Sequence, residues 1–177
     1  MPQIESTILI EAPLEAVWEL AQDVEKFPEI MPDLDAVKIH EREITSASTT
    51  RVVSEWNGRI AKFNRRVNWT EEDIWNSEER TCHFWQLRGD FNEYQGDWKF
   101  SDENGATQAK LNITYRFEIP LVGALMQKVV QNLLQDNSDR MLQALKTESE
   151  RRANQGAPGS RLRGRRPLDE NQAEDEA

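Results

Sequence analysis

The chain has 177 residues, of which 37% are hydrophobic, and it carries a formal net charge of −10. This length fits one domain of about 150 residues with a short tail, which is large enough to bury a core. The negative charge repels phosphate groups and therefore argues against binding to nucleic acid. Six tryptophans supply large apolar surfaces with one N–H each, which suits a core and also the wall of an aromatic cavity.

The sequence pattern gives no sign of a metal site, an export signal or a membrane span. The single cysteine, Cys82, cannot form an internal disulfide, and with His40 and His83 it has no zinc-like spacing. Glutamates interrupt the apolar pattern of residues 1–20, and no apolar run reaches membrane-spanning length. We therefore predict a cytoplasmic protein with no metal, no cofactor and no transmembrane segment, which leaves transient membrane contact open.

The N-terminal segment predicts one strand and two short helices. Residues 4–11 alternate between apolar and polar side chains, as in a half-buried strand. Pro13 starts a helix with apolar residues at helical spacing. Two prolines in segment 27–32 limit the next helix to one or two turns.

From Asp35 to Ile119 the pattern is that of strands separated by turns, with no helical period. Trp75 falls between two of these strands, in a turn region outside the sheet. With residues 4–11 the strand count is about seven. The predicted strands of this region are 35–44, 48–56, 59–71, 80–89, 94–101 and 107–119.

Asn57-Gly58 is the clearest turn signal in this region. A two-residue type I′ turn needs positive φ at both central residues, which asparagine and glycine tolerate best. Such a turn places Trp56 opposite Arg59 and fixes which side chains of the two strands share a face. The residues predicted to point inward are Trp56, Phe63, Trp69 and Arg65.

The later strands continue the alternation, which predicts three further sets of side chains on common faces. The polar residues between them in the last strand are typical of one half-buried antiparallel sheet. The three sets are His83, Trp85 and Leu87; Gly96, Trp98 and Phe100; and Leu111, Ile113, Tyr115, Phe117 and Ile119.

Residues Pro120 to Arg152 predict a helix of about nine turns whose apolar face needs a partner. Asn137 is polar in the middle of this face, either as a core amide bonded to a carbonyl or as a contact in a ligand cavity. A charged segment follows, so we divide the chain into a domain, 1–152, and a disordered tail, 153–177. The apolar face holds Val122, Met126, Val129, Val130, Leu133, Leu134, Met141, Ala144 and Leu145, with Lys128, Gln135 and Asp139 opposite.

Four segments carry a resemblance to a known superfamily: Ala12–Trp18, Val24–Pro32, Gly96–Phe100 and Phe117–Leu121. With the order of the elements, they make the chain similar to the START-like (SRPBCC) superfamily and, within it, to the polyketide cyclase/dehydrase and coenzyme Q-binding branch. The resemblance implies an α+β helix-grip fold, a curved antiparallel sheet of about seven strands wrapped around the C-terminal helix. It also implies two short helices between the first two strands, and a deep cavity that holds an apolar or aromatic molecule.

Three functions are compatible with this resemblance. The first is binding or transport of a hydrophobic small molecule such as a lipid, a quinone or a polyketide. The second is a cyclase or aromatase activity in which Arg65 or His83 assists proton transfer. The third is that of an interaction protein, as in ribosome-associated members of the same branch. Because the sequence offers no nucleophile–base pair or phosphate loop as independent evidence of turnover, the first function is favoured.

The predicted cavity draws its residues from several strands and from the C-terminal helix. For Arg65 the alternative is a guanidinium stacked on Trp69, and for His83 it is a core or rim position. The predicted ligand-binding residues are Trp56, Phe63, Arg65, Trp69, His83, Trp85, Trp98, Phe100, Tyr115 and Asn137.

Overall fold

An antiparallel sheet and a long C-terminal helix form the fold. The computed structural model describes residues 2–31, 33–60, 65–117 and 124–156. The strands are β1 (Gln3–Ile10), β2 (Leu34–Ile44), β3 (Thr49–Ile60), β4 (Arg65–Asn76), β5 (Thr81–Gly89), β6 (Glu93–Glu103) and β7 (Ala106–Arg116). The helices are α1 (Leu14–Gln22), a 3₁₀ turn (Val24–Lys26), α2 (Phe27–Ile30) and α3 (Ala124–Gly156).

The seven strands are ordered β1-β7-β6-β5-β4-β3-β2, and every neighbouring pair is antiparallel. The sheet curves around α3, and α1 and α2 follow β1 along the chain, so the predicted helix-grip fold is confirmed. Within the described residues, no helix is long and apolar enough to cross a membrane.

The two-residue turn predicted at Asn57-Gly58 is wrong. Both residues lie inside β3, in a ladder with β4 that continues past them, so Trp56 faces Trp69 and not Arg59. The two indole rings stack with their centroids 5.6 Å apart. Such cross-strand packing stabilises the longer hairpin more than a local turn preference does. The connecting segment, with Phe63, lies outside the described residues.

The contact between α3 and β1 is partly polar, although α3 buries Leu142 and Leu145 in the core. Gln135 and Asp139 were predicted on the side away from the sheet, and this is wrong. Ser6 Oγ donates to Asp139 Oδ1 (2.6 Å) and accepts from Gln135 Nε2 (2.8 Å). Ser6 is buried on the inner face of β1, and a buried hydroxyl requires hydrogen-bond partners from the helix above it.

α3 continues beyond the predicted domain boundary at Arg152, to Gly156. Ala153 packs against the core of the domain. The rest of the proposed tail, 157–177, lies outside the described residues. The division at Arg152 stays a prediction, and a truncation meant to test it is better placed after Gly156.

Trp75 belongs to the core, so the position predicted for it outside the sheet is wrong. β4 continues to Asn76, and strand alternation therefore carries Trp75 to the same inner face as Trp69. Trp75 is 4% exposed. Its ring meets Trp18 of α1 edge to face, with the centroids 5.3 Å apart.

Candidate functional site

A cavity of about 100 Å³ lies between the sheet and α3, near the end of β3 and the connection from α2 to β2. Its wall is mainly apolar because inward-facing strand residues and one face of α3 meet there. The wall is formed by Trp56, Val67, Trp69, Phe91, Tyr94, Ile113, Leu134, Asn137, Ser138 and Met141, and the mouth by Met31, Asp33, Leu34, Gly58, Arg59 and Arg140.

Four aromatic rings form one continuous side of this cavity. Trp56 and Trp69 stack across β3 and β4, and Phe91 and Tyr94 stack with their centroids 4.8 Å apart. Phe91 and Tyr94 also meet the Trp69 ring edge to face, at 5.9 and 6.0 Å. Rings that already hold one another lose little freedom when a ligand binds. The wall is therefore a preformed apolar surface.

Charged side chains pair with one another at the mouth. Arg140 of α3 forms an ion pair with Asp33, with Nη1 and Oδ2 2.6 Å apart, and Arg59 pairs with Asp35 at 2.8 Å. Arg140 also donates to the side-chain oxygen of Asn137 (2.9 Å). Asn137 thus lines the cavity, and its side-chain oxygen accepts a hydrogen bond from the Arg140 guanidinium.

A smaller pocket of about 30 Å³ continues the cavity into the core. Five side chains line both spaces and separate them: Trp56, Trp69, Tyr94, Ile113 and Met141. Behind them, aromatic rings surround two carboxylic acids. The aromatic residues there include Trp75, Phe84 and Trp98, and the acids are Glu71 and Asp73.

Glu71 and Asp73 both lie on the inner face of β4 and are only 6% and 4% exposed. Glu71 is held by an indole N–H. Trp69 Nε1 donates directly to Glu71 Oε2 (2.7 Å). Trp56 Nε1 donates to Ser54 Oγ (2.8 Å), and the Cys82 thiol donates to Asp73 Oδ1 (3.9 Å). Asp73 Oδ2 is buried and has no hydrogen-bond partner among the described residues.

Burial shifts the protonation of both acids. Loss of hydration raises the pKa of Asp73 to about 7. It also raises the pKa of Glu71 well above its usual range, and the charge of Asp73 acts in the same direction. Within the described part of the chain, neither acid forms a salt bridge. Near neutral pH the pair can hold a proton, release one, or balance a cation that enters the pocket.

The model of the polyketide cyclase / dehydrase and lipid transport family matches residues 10–142. The chain belongs to this family. Its structure is similar to the crystal structure of a protein from Thermus thermophilus, with a TM-score of 0.79 and 30% sequence identity over 86% of this chain and 99% of that one. A comparison of the sequence with curated proteins gives no match.

Two further solved structures show the same fold. The Zhui aromatase/cyclase of Streptomyces sp. R1128 has a TM-score of 0.74 and 23% identity, over 85% of this chain and 94% of that one. A START superfamily protein from Mycobacterium smegmatis has a TM-score of 0.65 and 17% identity, over 86% of this chain and 97% of that one.

The two acids of the inner pocket, Glu71 and Asp73, were not predicted as site residues from the sequence. Glu71 is the last residue of the predicted strand 59–71 and Asp73 lies just beyond it, where acidic residues are typical of a turn. Strand alternation is the signal that could have revealed them. Trp69 and Trp75 lie on the same face of β4, and because every second residue shares a face, Glu71 and Asp73 lie on that face too.

The predicted ligand contacts that lie inside the domain occupy three different places. Two tryptophans and the asparagine line the cavity, a third tryptophan lines the inner pocket, and two aromatic residues are buried in the core. In that order they are Trp56, Trp69 and Asn137; Trp98; and Phe100 and Tyr115.

His83 and Trp85 lie on the outer face of the sheet, so the prediction that they face the cavity is wrong. His83 Nδ1 pairs with the exposed Asp97 at 2.7 Å, and the rings of His83 and Trp85 lie 5.4 Å apart. The reason is Phe84, whose ring faces inward over Gly96 of β6. A Cβ atom at Gly96 would lie only 2.5 Å from that ring.

Arg65 is also outside the cavity. Its side chain is exposed, and its guanidinium lies over the ring of Phe117, 5.3 Å from the centroid. Arg65 therefore stacks on an aromatic ring, as the alternative prediction for it states, but the ring is that of Phe117 and not that of Trp69.

Proposed function

We propose that this protein binds a hydrophobic or aromatic small molecule in the cavity between the sheet and α3. The observation that carries the proposal is the wall of four mutually packed rings beside a cavity with a charged mouth. Membership of a family described by polyketide cyclization, dehydration and lipid transport supports the same class of ligand. A cavity of about 100 Å³ admits a small ring compound. A long-chain lipid, quinone or polyketide requires a larger cavity, since sites for such ligands hold about 300 Å³ or more.

Binding is expected to be seen by titration calorimetry with 1-naphthylmethanol, a neutral aromatic probe. Saturable binding with a micromolar Kd is expected, and Gly58→Leu is expected to raise the Kd about tenfold or more. A Cβ atom at Gly58 would make only ordinary contacts, 3.5 Å from the Trp69 ring, so the longer side chain enters the mouth without disturbing β3.

Trp85→Ala is the matched control, since this ring lies on the outer face of the sheet and its loss leaves the Kd unchanged. Absence of saturable binding in the unmodified protein would overturn the proposal. Equal affinities for the Gly58→Leu variant and the unmodified protein would mean that the probe binds elsewhere.

A second candidate function, proton transfer on a carbonyl compound, is favoured by the buried pair Glu71 and Asp73. A general base works best when its pKa lies near the working pH, and burial places that of Asp73 at about 7. Arg65 and His83, the residues first considered for this role, lie outside the cavity. An interaction with ribosomes and a location in the cytoplasm remain predictions from the sequence.

Catalysis is tested by following the exchange of the acidic C–H protons of 2-tetralone in D₂O by NMR. If Asp73 removes such a proton, the protein accelerates exchange, and Asp73→Asn abolishes the acceleration while binding of 1-naphthylmethanol persists. Asp97→Asn, on the outer face, serves as the control. No acceleration in the unmodified protein, with the ketone bound, would exclude this candidate function.

A further inference from the structure

We propose that the cavity is built for a hydrophobic amine, whose apolar ring occupies the outer cavity and whose ammonium group lies between Glu71 and Asp73 in the inner pocket. This inference rests on the proposed function and names the chemical class of its ligand.

The two buried acids are incompletely bonded. Buried carboxylates are costly unless they are hydrogen-bonded or paired with a positive charge. Asp73 Oδ2 has no partner among the described residues, and Glu71 has no cation beside it there. An ammonium group has three N–H donors and a positive charge. It supplies what both acids lack.

The outer cavity and the inner pocket are neighbouring spaces that share lining residues. The inner pocket measures about 30 Å³, and a space of about 10–15 Å³ admits one water molecule, so a group the size of an ammonium fits. Trp56, Trp69 and Tyr94 separate this pocket from the outer cavity. Aromatic faces attract a cation. A cation that passes this ring of side chains is therefore stabilised on the way to the acids.

The charge of the protein also favours a cationic ligand. The chain carries a formal net charge of −10, which attracts cations and raises their local concentration. The arginines at the mouth do not oppose this attraction strongly, because Arg140 is paired with Asp33 and Arg59 with Asp35. No lysine or arginine lines the inner pocket within the described residues.

The proposal predicts that amine affinity depends on pH. A bound ammonium favours the ionised form of Asp73, so the affinity rises as the pH passes through its pKa of about 7. Ionisable groups on four strands act on Asp73 or respond to its charge. They are Arg42 on β2, Glu71 and Glu72 on β4, Cys82 on β5 and Tyr94 on β6.

The test compares two probes of the same shape, 1-naphthylmethylamine and 1-naphthylmethanol, by titration calorimetry. The measurements are made at about pH 6 and about pH 8, one unit on either side of the Asp73 pKa of about 7. The amine stays protonated over this range. We expect it to bind about tenfold more tightly than the alcohol at the higher pH. Its Kd is expected to fall about tenfold between the two pH values, while that of the alcohol changes less than about twofold.

Asp73→Asn is expected to remove both the preference for the amine and its pH dependence, with the alcohol still bound. Glu71→Gln is expected to reduce the preference, and Asp97→Asn, on the outer face, to leave it unchanged. An amine that binds no better than the alcohol, or a preference that survives in Asp73→Asn, would overturn the inference and leave the proposed function intact. If neither probe binds, the proposed function fails with it.

Discussion

Replacing Asp73 with asparagine is expected to stabilise the protein by about 3–5 kcal/mol at about pH 8 and to have little effect at about pH 4. The pKa of Asp73 is about 7 in the folded state and near 3.8 without burial. Between these values the folded state binds a proton that the unfolded state has released. Stability therefore falls as the pH rises through this window, and the whole penalty is present above pH 7. An asparagine side chain carries no charge to bury, so the variant avoids the penalty.

Urea denaturation of the variant and of the unmodified protein at both pH values measures the effect directly. Asp136→Asn is the control, because Asp136 is exposed on α3 and its replacement is expected to change stability by less than about 0.5 kcal/mol. A loss of stability in Asp73→Asn at about pH 8 would mean that the carboxylate has a stabilising partner in the folded protein. Such a result would also remove the basis for an amine ligand.

Trp75→Ala is expected to destabilise the fold by about 3–5 kcal/mol, whereas Trp85→Ala is expected to cost less than about 1 kcal/mol. The two residues are separated by one short connection, but they face opposite ways. Trp75 is 4% exposed and packs edge to face on Trp18. Its removal leaves a cavity beside the inner pocket that the surrounding rings cannot fill. Trp85 contacts His83 on the outer face, where water replaces it.

The pair is measured by chemical denaturation, with the near-ultraviolet circular dichroism spectrum as a check that each variant retains its packed core. The sequence pattern taken alone assigns the two residues in the opposite way, with Trp75 outside and Trp85 in the cavity. Comparable losses for the two variants, or a larger loss for Trp85→Ala, would contradict the faces of β4 and β5 described above.

Periodicity explains why the elements of the fold could be predicted. Strand alternation and the Pro13 helix start depend on neighbouring residues, so α1 and five of the seven strands were found close to their observed bounds. The two strands predicted on either side of Asn57-Gly58 end or begin up to six residues too early. Alternation separates two faces of a strand but does not say which face is buried. In β5 both sets contain aromatic residues, and only the fit of Phe84 over Gly96 decides between them.

The site was harder to predict because it depends on contacts between distant residues. The Asn57-Gly58 signal favours a local turn, and only the pairing of Trp56 with Trp69 shows that the strand continues. The sequence around the two acids of the inner pocket predicts a surface turn, because carboxylates are rarely buried. Their position on an inner face becomes visible only when the strand is followed to Asn76.

The strand order also determines when the pocket closes during folding. From β2 to β7 each strand pairs with its successor, whereas β1 pairs with β7 across almost the whole domain. Contacts so distant in sequence form late, because a long loop must close first. We infer that the meander from β2 to β7 forms first, and that the addition of β1, with α3 against it, is the last step. Asp73 stays hydrated until then, so at high pH its charge acts mainly by speeding the unfolding of the finished protein and changes the rate of folding little.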